Sequence, residues 1–264
     1  MNKTIILKNY IYIDAGPIHY RSIGDLTISR PLVFLHQTAS ASVMFEALMD
    51  GLKDDFNSFA PDTPGYGASF DPIFAPSIKD LASYLFQSLQ TLQIESINLL
   101  GHHTGAALAL QFALDYPQSV HKLILSGPPL LSAAQKQTLS ASLNKPATLD
   151  ITHLTATWER IQSRLTKPNP DLALREYLLT LRAKRYGETY QAVFEQDVEA
   201  QLTQIDCPCL VIVGENDTIY ESAYLSHQKI KNSHYREIAG AGTYIFDENT
   251  SELIPIIKEF LLKV

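Results

Sequence analysis

The stretch Gly101-His102-His103-Thr104-Gly105-Ala106 decides how this chain reads. The apolar run Ile97 to Leu100 leads into it, and the small, apolar, helix-like run Ala106 to Ala113 leads out. Strand, sharp turn, helix is a setting in which a strained turn lifts one side chain clear at the top of a sheet. The lifted position here is His103, an imidazole.

On the N-terminal side, Ile11 to Ile13 and Ile18 to Ile23 read as a hairpin broken by Asp14-Ala15-Gly16-Pro17. Leu32 to Leu35 is a continuous apolar run ending in His36-Gln37-Thr38, as expected of a strand buried on both faces. Phe56 to Ala60 is another short strand, closed by the turn-rich loop Asp62-Thr63-Pro64-Gly65-Tyr66-Gly67. Ser77 is placed to cap a helix reaching about Leu92. On the C-terminal side, Leu123 to Leu125 is the next strand. Residues 129 to 205 then carry no strand-like run, only helical patterns near 133–143, 151–165, 171–185 and 188–203. Strand patterns resume at Leu210 to Val213, which ends in Gly214-Glu215-Asn216-Asp217. A helix near 220–230, a strand near 234–238 and a closing helix from about Ser251 complete the series. Strands alternating with helices predict a mostly parallel sheet covered on both faces, with ligands bound outside the carboxyl ends of the strands. His36, Asp62, His103, Ser126 and Asp217 all fall at or just past such ends.

The chain has 264 residues, 45% of them hydrophobic and 19% charged, with a net charge of -7. It is long enough for a large core without staples. The acidic balance and the absence of a Lys/Arg cluster argue against nucleic acid or an anionic membrane as partner. Cys207 and Cys209 flank Pro208 just before an apolar run and read as core thiols. With no secretory leader and no apolar run approaching about 18 residues, a cytoplasmic location is expected.

The hairpin, the strand ending in His36, the Asp62 to Gly67 loop, the Gly101 to Gly105 elbow and Val213-Gly214-Glu215-Asn216-Asp217 occur in one order. In that order they resemble the α/β-hydrolase family over essentially the whole chain. The resemblance implies an α/β fold, a hydrolase core of residues 1–128 and 206–264, and a helical cap of residues 129–205. Carried over residue by residue, it places the elbow nucleophile on His103 and the acid on Asp217. The usual catalytic histidine falls in Gly240-Ala241-Gly242-Thr243-Tyr244, where Thr243 stands in its place. The oxyanion motif reads His36-Gln37-Thr38, without the usual glycine. The oxyanion donors it implies are backbone N–H groups of Thr104 and of the Gln37-Thr38 segment.

A serine hydroxyl becomes nucleophilic when a base takes its proton, and here both hydroxyl and base are replaced. An imidazole on the elbow is several ångströms longer than a serine hydroxyl, and Thr243 leaves space beside Asp217. We therefore expect His103 to reach Asp217 and to serve as a general base without a serine. The alternatives are a histidine that only contacts ligand, or one that is structural. Asp217 otherwise caps the following segment. His36 either lines the pocket or packs beneath it. Trp158, Tyr177, Thr243 and Tyr244 are candidate pocket residues, although aromatics at helical spacing are more often core. A metal site from His36, His102 and His103 is not expected, because adjacent residues on one turn point apart. No cofactor is implied. The expected substrate is a small, mainly apolar carbonyl compound: an ester, lactone or β-keto compound. A cofactor-free lyase, dehydratase or cyclase, or a non-catalytic small-molecule receptor, are the competing readings.

Overall fold

A computed structural model describes residues 5–28, 30–143 and 150–263. The first strands, β1 (Leu7–Ile13) and β2 (Gly16–Ile23), form the expected hairpin. Then come β3 (Leu32–Leu35), α1 (Glu46–Leu52), β4 (Ser58–Pro61) and α2 (Ile78–Thr91). The elbow joins β5 (Ile97–His102) to α3 (Thr104–Asp115), and β6 (Val120–Ser126) follows. The insertion holds α4 (Ala133–Leu143), α5 (Ile151–Gln162), α6 (Pro170–Arg182), α7 (Tyr186–Glu195) and α8 (Val198–Leu202). The chain closes with β7 (Cys209–Gly214), α9 (Tyr220–Lys229), β8 (Ser233–Ile238), α10 (Ile245–Glu248) and α11 (Thr250–Leu262).

The eight strands form one sheet in the order β1-β2-β4-β3-β5-β6-β7-β8. The β1–β2 and β2–β4 pairs are antiparallel and the rest are parallel. Strands β3, β4, β5 and β7 are buried along their full length, as expected of strands covered on both faces. Leu81, Leu85, Ala109, Phe112, Leu202 and Ala223 fill one side of the sheet. Met44, Leu48, Met49, Phe246, Leu253 and Ile257 fill the other. Helix α3 is buried almost all round, which is why its sequence is apolar on every face rather than striped.

Local chemistry sets the boundaries. Ser77 accepts from the Asp80 N–H while Asp80 reaches back to the Ser77 N–H, a complete capping box at α2. The run predicted as one helix over 188–203 is two. The ladder stops at Gln196, and the Asp197 carboxylate starts α8 by accepting from the Ala200 N–H. Ser42 opens a short 3-10 turn that hands over to α1 at Glu46. On β6, the buried Lys122 ammonium donates to the carbonyls of Phe260, Leu261 and Lys263, which tethers the last turn of α11 to the sheet. Cationic donors suit the orphan carbonyls of a helix end. Cys207 and Cys209 are both free thiols, and Cys209 is buried.

Candidate active site

The parallel order brings the carboxyl ends of β3, β5, β6 and β7 side by side, with His102 registered on Ser126 and Ser126 on Ile212. The elbow between β5 and α3 is tight. A Cβ at Gly105 would lie 2.1 Å from the Leu35 carbonyl oxygen, so only glycine lets α3 start against β3. His103 sits at φ 50°, ψ -111°. A left-handed backbone at a residue other than glycine costs of order 1–3 kcal/mol. The strain turns the imidazole out of the core, with its side chain 15% exposed while Asp217 is sealed at 2%.

The structure brings His103 and Asp217 together. His103 Nε2 is 2.9 Å from Asp217 Oδ2 and 3.1 Å from Oδ1. Asp217 Oδ1 also accepts the Ile219 N–H at 3.0 Å. Burial pushes the Asp217 carboxyl up. The charge and hydrogen bond of His103, with the Ile219 N–H, outweigh that and hold it well below the usual carboxylate range. A carboxylate on Nε2 fixes the proton there and leaves the Nδ1 lone pair as the free basic position.

His102, the neighbour, does different work. It is fully buried, and its Nε2–H donates to the Thr243 carbonyl at 2.9 Å. Its Nδ1 then accepts from the Ser126 hydroxyl at 3.0 Å. Burial, and next the adjacent His103, push its pKa down to about 3, so it is a neutral tie between β5, β6 and the 240–244 loop. Sequence reading passed over it. Its only signal is position: a polar ring directly before an elbow points into the sheet and must find partners. The same loop is stitched to the acid segment, since Asn216 N–H donates to the Ala241 carbonyl and Gly240 N–H to the Glu215 carboxylate.

The other expected residues divide. His36 is buried with both ring nitrogens used: Nδ1–H donates to the Gln37 carbonyl and Nε2 accepts the Thr63 N–H, each at 2.9 Å. Burial holds its pKa below the ordinary histidine value. The Gln37 carbonyl also accepts the Ser40 N–H. The Thr38 N–H is occupied, because it donates to the Thr104 hydroxyl at 2.6 Å. The Thr104 N–H, first in α3, has no acceptor within its own helix. Thr243 is buried and engaged through its carbonyl.

Trp158 and Tyr177 meet edge to face at 5.4 Å in a small cluster of the insertion with Ile161, Leu172, Ala173 and Tyr244. They pack the insertion onto the 240–244 loop. The cavity beside Thr104, about 10 Å³ and lined also by His36, Thr38, Thr63 and Thr189, is the size of one water and touches neither aromatic. Polar ties hold the insertion over the rim. Arg175 binds Asp247 with both terminal nitrogens and Glu176 with Nε, and Ser40 donates to Glu176. Tyr66 donates to the Thr189 hydroxyl at 2.7 Å.

The model of the alpha/beta hydrolase fold family matches residues 30–250. The chain belongs to the α/β-hydrolase family. Among the relatives of this α/β hydrolase is AB hydrolase superfamily protein YisY of Bacillus subtilis, 26% identical, with 90% of this chain and 94% of that protein covered. Another is 3-oxoadipate enol-lactonase 2 of Acinetobacter baylyi, 25% identical with 76% of each covered. The solved esterase of Exiguobacterium antarcticum superposes with a TM-score of 0.85 over 97% of this chain and all of that one, at 22% identity, a likeness of fold.

Proposed function

We propose that this α/β hydrolase is a cofactor-free acid–base enzyme acting on a small carbonyl compound, with His103 as general base and Asp217 as its orienting acid. The observation that carries this reading is the contact of His103 Nε2 with the Asp217 carboxylate at 2.9 and 3.1 Å. It puts base and acid in contact without a serine. Nδ1 takes a proton from a water or from a carbon next to the carbonyl. The imidazolium that forms is stabilised by the Asp217 carboxylate, and negative charge growing on the substrate oxygen turns to the Thr104 N–H at the positive end of α3. The lactonase and hydrolase names among the relatives support an ester, lactone or enol-lactone as substrate class, and the same proton transfer serves a lyase or cyclase.

A thermal-shift screen of esters, lactones and β-keto acids, with mass analysis of each hit before and after incubation, tests this. Wild type is expected to convert a hit that His103→Ala binds but turns over about 10²–10⁴-fold more slowly, the usual worth of a general base. Full turnover by His103→Ala ends the reading. A second reading, a receptor that binds without turnover, is favoured by the occupied Thr38 N–H. It predicts hits recovered unchanged from both proteins.

A further inference from the structure

The structure assigns Gly127 as the residue that makes the His103–Asp217 contact sterically possible. Gly127 directly follows β6 and is buried, with φ +55°. A Cβ built there would lie 2.6 Å from His103 Cδ2, 2.9 Å from His103 Nε2 and 3.2 Å from Ile219 Cδ1. The first two are far shorter than any carbon contact at rest, so the imidazole occupies the volume that every other residue would fill with its first side-chain atom. The ring edge facing Gly127 is Cδ2–Nε2, the edge that carries the proton to Asp217. The opposite edge, Nδ1–Cε1, therefore faces away from Gly127.

Neighbouring contacts define where the ring sits. The His102 ring lies beside it with centroids 4.1 Å apart. The Ile219 side chain comes up to the same point above Gly127, and the Ile219 N–H holds the carboxylate the ring must meet. The backbone at 127 is pinned as well, since its N–H donates to the Ile212 carbonyl at 2.9 Å. Relief of a clash at 127 must come from His103, which is the flexible partner, by rotation off Asp217. An elbow serine would not extend over Gly127. The requirement for glycine here is thus set by the imidazole as well as by the positive φ, and position 127 acts on the base through its placement. This inference rests on the His103–Asp217 geometry of the proposed site, not on its turnover.

A double-mutant cycle of Gly127→Ala and His103→Ala separates ring clash from backbone strain. Denaturant unfolding is measured in all four proteins, and the Asp217 carboxyl is titrated by NMR in the wild type and both single variants. Gly127→Ala is expected to reduce the folding constant about tenfold more in the wild-type background than in His103→Ala, as groups in contact couple. It is also expected to raise the Asp217 titration midpoint, as His103→Ala does. Equal losses in both backgrounds, with Asp217 still titrating low in Gly127→Ala, would assign the glycine to backbone strain alone and overturn the proposal. If Gly127→Ala does not fold, folding of the double variant supports the clash, and failure of both overturns it. Each readout is independent of catalysis, so inactivity of the enzyme on every compound tested leaves the cycle intact.

Discussion

Among the described residues, two histidine–aspartate pairs differ in what the aspartate is offered. At the rim of β2 and β4, His19 Nδ1 meets Asp62 Oδ2 at 2.8 Å. Asp62 also accepts the Ser42 N–H at 2.8 Å, the Ser42 hydroxyl at 2.5 Å and the Ala68 N–H at 2.9 Å. At the ends of β5 and β7, Asp217 has the His103 ring and the Ile219 N–H. Both carboxyls are held below their ordinary range against burial, which alone would raise them. Asp62 reaches that state through donors from strand β2, the Ser42 turn and the loop at Ala68, so its histidine is one contributor among several. Asp217 reaches it chiefly through His103. The Asp62 histidine sits within strand β2, whereas His103 sits on a strained turn. On the proposed reading, the pair that works is the one whose acid depends on its base.

Exchanging effects between the pairs gives the sharpest test. His103→Ala is expected to remove about 10²–10⁴-fold of turnover on a genuine substrate and to lower the denaturation midpoint as Asp217 loses its partner. His19→Ala should lower the midpoint while turnover per folded molecule is retained. Comparable activity loss from His19→Ala would erase the distinction. Asp62→Asn comes next. Neutralising it disrupts a buried, multiply bonded carboxylate, and a loss of about 3–5 kcal/mol of stability by urea unfolding is expected, with kcat per folded molecule retained.

A smaller effect is pH-dependent. The folded pKa values of Asp62 and Asp217 lie below the unfolded value of about 3.9, so their stabilisation is full above that pH and is lost as pH falls through the folded values. Unfolding free energy measured downward from about pH 5 should therefore fall in wild type, less steeply in Asp217→Asn and in Asp62→Asn. Equal slopes in all three would show that neither pair is linked to folding. The smallest effect is at Thr104. Thr104→Val removes the acceptor of the Thr38 N–H, at an expected cost of about 1 kcal/mol in urea unfolding. It should raise kcat/KM on an ester or lactone, because the freed N–H is then open to the substrate oxygen; an unchanged or lower kcat/KM would mark the hydroxyl as part of the site rather than an obstruction in it.

Much of this architecture is written locally. Apolar runs such as Leu32 to Leu35 and Leu210 to Val213, each ending in polar loop residues, set the strands, and Ser77 and Asp80 mark where α2 begins. The separation of His103 and Asp217 along the chain is bridged by parallel pairing, which the alternation of strand and helix implies. The rest depends on who fills each donor and each volume. No pattern in His36-Gln37-Thr38 signals that the Thr38 N–H is taken by a side chain 66 positions away. Nothing in the spacing of Trp158 and Tyr177 distinguishes aromatics that line a cavity from aromatics that close one. The break at Gln196 and Asp197 was hidden because both flanking segments keep a helical period; the cap at Asp197 is visible only once Ala200 is known to be its partner.

The tether at Lys122 has a consequence for how the chain may be shortened. The ammonium lies on β6, four residues before Ser126 and five before Gly127, and its acceptors are the carbonyls of Phe260, Leu261 and Lys263. Trimming the last turn of α11 would strand a buried cation in the middle of the sheet rather than merely fray a helix. The strand that would then have to readjust is the one whose far end holds His102 through Ser126 and seats the His103 ring at Gly127. Damage to the last turn of α11 would thus be felt at the elbow, through one strand and without any direct contact.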